Sequence, residues 1–187
     1  MAQKRTELAF KDTGKAEPWL KKGGQFELQI WQLEPPTKTF WADVAIAKSV
    51  FDVPTLFFAQ LHDEETPPHT YYAVTLPPDQ FGKVVDSFSE IEASLKARFP
   101  TGGNRDFSKI DFTRVPDGRK MKHGATVIRA AANDQHAMLD FYQVELITEE
   151  GMKARGIRLP PVMALARVWM APALLFDLLR QMQRMRG

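Results

Sequence analysis

The chain reads as one structural phrase written twice. The first copy runs Leu56-Phe57-Phe58-Ala59-Gln60-Leu61, then Val74-Thr75-Leu76-Pro77-Pro78, then a helical stripe of Phe81, Val84, Val85 and Phe88. The second runs Leu139-Asp140-Phe141-Tyr142-Gln143-Val144, then Val168-Trp169-Met170-Ala171-Pro172, then Leu175, Leu178, Leu179 and Met182. An offset of 83 residues aligns Val44 with Val127, Phe58 with Phe141 and Gln60 with Gln143. An offset of 94 aligns Val74 with Val168 and Pro78 with Pro172, so the second copy carries an 11-residue insertion around Glu149 to Arg158. A duplicated chain is expected to pair its halves in one pseudo-symmetric body. The alternative on the same residues is one α+β domain whose elements merely look alike.

Periodicity supplies the elements. Phe26, Leu28 and Ile30 alternate with polar residues, as in a half-buried strand. Strands are also predicted over 41–50, 56–62 and 71–76, and Pro77-Pro78 then suits a helix start. A helix over 78–97 places Phe81, Val84, Val85, Phe88, Ile91 and Leu95 on one stripe. Phe99-Pro100-Thr101-Gly102-Gly103-Asn104 is the clearest break. Beyond it, strands are predicted over 107–115, 125–132, 138–147 and 162–170, and Pro172 opens a last helix. The expected organisation is a flexible N-terminal arm over 1–24, a first ββββα half over 25–99, a linker over 100–106 and a second ββββα half over 107–187. The class is α+β, with largely antiparallel sheets and two amphipathic helices.

At 44% hydrophobic and 26% charged the chain is globular rather than disordered. It has no cysteine, which excludes disulfides and thiol chemistry and suits a reducing cytoplasm. No apolar run approaches the roughly 20 residues that cross a bilayer, and the N-terminus has no apolar signal core. The expectation is a soluble cytoplasmic protein. The net charge of +2 hides a contrast: residues 40–100 carry −5 and residues 101–187 carry +5. Opposite potentials can help the halves, or two molecules, dock.

Four antiparallel strands followed by a helix resembles the arrangement of the SecB-type export chaperones. The second copy, from Ala125 to Met185, is also similar to a family of short bacterial proteins of unknown function. That similarity rests on the Leu139-Asp140-Phe141 strand and the Ala166-Arg167-Val168-Trp169-Met170-Ala171-Pro172 junction. The SecB resemblance implies a non-enzymatic protein that assembles through sheets or helices and binds extended polypeptide in apolar grooves. Tandem fusion departs from that pattern and would alter the oligomer. No site motif matches, so no family residue is carried over.

The apolar face of the last helix exceeds what a thin sheet needs. Leu174, Leu178, Met182 and Met185, with Phe81 and Phe88, are therefore the candidate protein-binding residues, against a reading of the same face as core. The densest basic segment holds Arg114, Arg119, Lys120, Lys122, His123 and Arg129 and is the candidate contact to nucleic acid, with Phe107 and Phe112 near enough to stack on bases. His62-Asp63-Glu64-Glu65 and His69 form an acidic loop that can at most trap a divalent ion weakly. Asp140 lies in an apolar strand opposite Phe57 of the other copy, either as a buried carboxylate of catalytic kind or as a group on a polar sheet face. No nucleophile–base pair and no phosphate-binding loop is present, so no enzyme, cofactor or metal is expected. The leading expectation is a non-catalytic protein-binding or assembly module, chaperone-like and self-associating, with an accessory nucleic-acid binder as the alternative.

Overall fold

The computed structural model describes residues 20–21, 25–26, 33–61, 70–103, 107, 120–145, 147, 149–156 and 160–186. Its elements are β1 (Leu20–Lys21), β2 (Gln25–Phe26), β3 (Thr39–Ala42), β4 (Val44–Val50), β5 (Val53–Gln60), β6 (Thr70–Thr75), α1 (Pro78–Ser87) and α2 (Ser89–Arg98), then β7 (Lys120–Gly124), β8 (Val127–Ala132), β9 (Ala137–Val144), α3 (Glu149–Ala154), β10 (Val162–Met170) and α4 (Pro172–Arg186). The fold is α+β. Two four-stranded sheets are ordered β4-β5-β6-β7 and β3-β10-β9-β8, and β1 pairs with β2 as a short ribbon.

The two sheets exchange strands. β7, from the second half, lies parallel to β6 of the first half, and β3, from the first half, lies parallel to β10 of the second. The other pairings are antiparallel. The registers repeat as the sequence offsets require. Val44 opposite Ala59 becomes Val127 opposite Tyr142, and Val74 beside His123 becomes Val168 beside Phe40. Leu56 opposite Val74 becomes Leu139 opposite Val168. The match slips by one residue only before Ala166, at a bulge in β10 that follows the inserted segment.

The stretch 41–50, expected as one strand, is two strands in different sheets. The chain changes sheet at Asp43, whose N–H donates to the Ala59 carbonyl (2.9 Å) while its carboxylate accepts from Leu61 N–H (3.2 Å). Thr126 does the same in the second half: its N–H donates to Tyr142 O (2.9 Å) and its hydroxyl accepts from Val144 N–H (2.8 Å). Both crossovers are thus clasped by a short polar side chain bonded to the neighbour of the strand the chain enters, β5 beside β4 and β9 beside β8.

The expected helix over 78–97 divides at Phe88. The Ser87 hydroxyl donates to Val84 O (2.7 Å) and Phe88 N–H reaches back only to Val85 O, which tightens the turn and ends α1. Phe88 stays buried, so the apolar stripe continues across the break. α3 lies in the inserted segment, anchored by buried Met152, and Gly156 at φ 64° follows its end. The strand expected over 107–115 falls outside the described residues except for Phe107, which packs against the core; of the strand expected over 26–30 only Phe26 is described, within β2.

One main core joins both sheets and the helices. Leu56, Phe58, Tyr72 and Val74 from the first sheet meet Ile128, Leu139, Phe141 and Val168 from the second, over Phe81, Val84, Ile91, Leu175, Leu178 and Met182. α4 also covers the open edge of β4: Gln181 accepts from Ala47 N–H (3.0 Å) and reaches Ala45 O with its amide nitrogen (3.5 Å). A side chain that occupies edge groups in this way blocks strand addition there.

Candidate functional site

Alternation along the strands sends Leu139, Phe141, Ala166 and Val168 inward, and so turns Met138, Asp140, Tyr142, Arg167 and Trp169 to the outer face of the second sheet. Register then builds two rows across that face. One is Arg129–Asp140–Arg167–Thr39, and the other is Ala131–Met138–Trp169–Trp41.

The first row holds a buried ionic cluster. Asp140 is fully buried between two arginines. Arg129 donates to its Oδ2 from Nε (3.1 Å) and Nη2 (2.5 Å), and sends Nη1 to the Leu33 carbonyl (3.3 Å). Arg167 donates from Nε to Oδ1 (2.6 Å) and from Nη2 to Oδ2 (2.8 Å), a bidentate fork. Tyr142 OH lies 3.4 Å from the same Oδ2. Burial, reinforced by the negative Asp140 and opposed by the two arginines, pushes the Tyr142 hydroxyl up to about 12, so it stays a neutral donor. The hydrogen bond to Asp140 holds the Arg167 guanidinium above its ordinary range against the opposing effect of burial. The sequence left Asp140 either catalytic or on a polar face. It lies on the outer face, but tied to two guanidinium groups rather than solvated.

The second row is aromatic and partly open. Trp41 is 41% exposed on edge strand β3. Its ring meets His136 edge-on at 5.6 Å, and His136 meets Trp169 edge-on at 6.5 Å. The Arg167 guanidinium lies 5.4 Å from the Trp169 ring, a cation–π contact that joins the two rows. His136 is exposed on the β8–β9 hairpin, whose turn is set by the Asn133 side chain accepting from Gln135 and His136 N–H.

The same positions of the first sheet are apolar. The repeat maps Arg129–Asp140–Arg167–Thr39 onto Ile46–Phe57–Ala73–Lys122, and Phe57, Tyr71 and Ala73 form a buried outer cluster with Ile46 and Val50 beside it. Lys48 lies over the Phe57 ring at 4.8 Å. The halves share a backbone and differ in the chemistry of their outer faces.

The candidate residues named from sequence do not gather in one site. Leu174, Leu178, Met182, Phe81 and Phe88 are buried in the main core, and Met185 packs against it. The helical face expected to be partly open to a partner is used between the helices and the two sheets. Of the basic segment, Arg114 and Arg119 lie outside the described residues, as does the side chain of Lys120. Lys122 is exposed on edge strand β7, where a lysine also discourages edge-to-edge pairing. Arg129 is bound to Asp140 and Leu33 and is not displayed to phosphate, which corrects its place in that set. His123 is half-buried against Tyr72 (5.6 Å). The acidic loop 62–69 lies outside the described residues, and among the described residues no three His, Asp or Glu gather as metal ligands. Among them, too, no helix is long and apolar enough to cross a membrane.

Trp41, His136, Trp169 and Arg167 were not singled out from sequence. The usable signal was the repeat itself: once Asp140 is placed opposite Phe57, hairpin register puts Arg129 and Arg167 on either side of it. Compared with known proteins, the chain matches no family model, no curated protein and no solved structure.

Proposed function

We propose that the protein is a non-catalytic binding module for other polypeptides, chaperone-like and self-associating, and that the outer face of the second sheet receives them. The observation that supports this reading is Trp41, a large aromatic side chain 41% exposed beside Trp169 and His136 at a sheet edge. An exposed indole on a rigid strand offers contact area at little entropic cost to a partner. The ionic cluster beside it ties β8, β9 and β10 together through Asp140, which suits a scaffold for the aromatic row rather than a reacting centre. A chain without cysteine suits work in the reducing cytoplasm.

The test is a titration of the intact protein with a permanently unfolded polypeptide, read by tryptophan fluorescence and by light scattering. The expected result is saturable quenching that falls by about tenfold in affinity in Trp41→Ala, about 1.4 kcal/mol. A strict monomer whose fluorescence ignores unfolded polypeptide would overturn the reading. Nucleic acid remains the alternative, through exposed Lys122 and the part of the basic segment outside the described residues. It predicts binding that weakens steeply with salt.

A further inference from the structure

Arg167 uses one edge of its guanidinium on Asp140. Its Nε and Nη2 bond Asp140 on β9, on the side of β10 away from β3, and no described residue accepts a hydrogen bond from Nη1. The side chain keeps 18% of its surface in solvent. Lys38, whose carbonyl accepts from Arg167 N–H, is exposed at the start of the same edge. Asp140 is held between the arginines, the Asp43 carboxylate accepts from Leu61 N–H, and Asp134 pairs with Arg98 at 2.6 Å. β3 is the edge of its sheet, and Thr39 and Trp41 are exposed along it. The corner thus joins a strand edge that no other described strand pairs, a cationic donor and an exposed indole, two residues apart in register.

Resting on the binding-module reading, we infer that β3 takes up an acidic, extended polypeptide segment as an added strand. An aspartate or glutamate of the partner faces the Arg167 row, and an aromatic or large apolar residue two positions away covers Trp41. The main chain of the guest pairs with the open edge of Thr39–Ala42. Strands lie roughly 4.8 Å apart, so the guest's Cα stands about 10 Å from that of Arg167, a gap that an arginine and a glutamate side chain span together. The period of two of a strand puts both guest side chains on the outer face. Desolvation by the aromatic contact strengthens the ion pair it borders.

The experiment uses the whole protein and short fluorescein-labelled peptides. One has Glu and Phe at alternate outward positions with Thr between them. A second has Lys in place of Glu, and a third probe is a thymidine oligonucleotide of similar length. The expected result is saturable binding of the Glu peptide, at least about tenfold weaker binding of the Lys peptide, and a loss of about tenfold in Trp41→Ala and several-fold in Lys38→Glu. Both substitutions are at exposed positions, so circular dichroism should show the fold intact. Equal binding of Glu and Lys peptides would overturn the inference and leave the binding-module reading standing. So would Glu-peptide binding that ignores Trp41→Ala. An oligonucleotide that displaces the Glu peptide and binds more tightly would assign this corner to nucleic acid instead. Failure of these peptides while unfolded polypeptide still binds overturns the acidic guest alone; failure of both overturns the module reading as well.

Discussion

Phe58 and Phe141 hold the same position in the two halves, and their rings meet each other at 5.7 Å with planes 55° apart. The two rings stand at matching register positions, opposite Ala45 in one sheet and Ile128 in the other, and meet inside the main core. Tyr72 closes the cluster, 6.5 Å from Phe58 and 6.2 Å from Phe141. Around that contact β7 joins the sheet of β4, β5 and β6, and β3 joins the sheet of β8, β9 and β10.

Truncating either ring should be costly. Phe58→Ala and Phe141→Ala are each expected to destabilise the protein by about 3–5 kcal/mol. The double variant should fall short of the sum, because the rings share one contact worth about 0.5–1.5 kcal/mol beyond area. Urea unfolding of the four proteins gives the cycle. Strict additivity would place the two rings in independent environments.

Asp140→Asn leaves two arginines around a neutral amide in a buried site. A loss of about 3–5 kcal/mol is expected, as when one member of a buried ion pair is removed. Replacing Arg129, Asp140 and Arg167 together by apolar residues of similar volume should recover much of that loss, since no charge then remains to be desolvated. Chemical denaturation of the single and triple variants checks both statements. A triple variant less stable than Asp140→Asn would contradict them.

The β4–β5 hairpin turns through Phe51 and Asp52 at φ 49° and 63°, a conformation that matches strand twist but strains residues with a Cβ. Phe51 is also 97% exposed, so its ring gains nothing from the fold. Phe51→Gly should therefore stabilise the protein by about 0.5–1 kcal/mol, seen as a higher urea midpoint. A loss of stability would show that the ring has a packing role in the free protein.

All three tyrosines of the chain are buried, and burial raises each hydroxyl pKa: Tyr71, Tyr72, and Tyr142 up to about 12. The folded state therefore holds these protons more tightly than the unfolded chain. Their contribution to stability is complete below the ordinary tyrosine value of 10.0 and is lost as pH rises from there toward and beyond 12. Tyrosinate absorbance should stay low in the folded protein at pH 10 to 11 and then rise together with loss of the circular dichroism signal. Smooth titration of all three near pH 10 with the fold intact would contradict the burial.

Much of the fold was legible because the repeat is carried by register. The offsets of 83 and 94 residues that align Phe58 with Phe141 and Val74 with Val168 also relate the strand pairings of the two sheets. The exchange itself was hidden. Asp43 breaks the 41–50 run with neither glycine nor proline, so the crossover reads as mid-strand. β7 was hidden by its charge: Lys120-Met121-Lys122-His123 looks like a basic segment, yet Met121 and His123 alternate with the lysines as an edge strand requires. The parallel pairs join strands far apart in the chain, where loop length gives no guidance. Ser87 gave no sign that its hydroxyl would end α1, since the apolar stripe continues through Phe88. In the candidate site Asp140 was conspicuous, but its arginines come from neighbouring strands and become visible only once the register is known.

The reciprocal exchange of β3 and β7 can be tested with a pair of cysteine variants in a chain that has no cysteine of its own. Ala73 lies beside Lys122 in the exchanged sheet, whereas without exchange the repeat would set Ala73 beside Thr39. Mild oxidation at low protein concentration, followed by non-reducing electrophoresis, separates the two arrangements. The exchanged sheets predict an intramolecular disulfide in Ala73→Cys/Lys122→Cys and none in Thr39→Cys/Ala73→Cys. Cross-linking of the second pair and not the first would place β3 beside β6 and rule the exchange out.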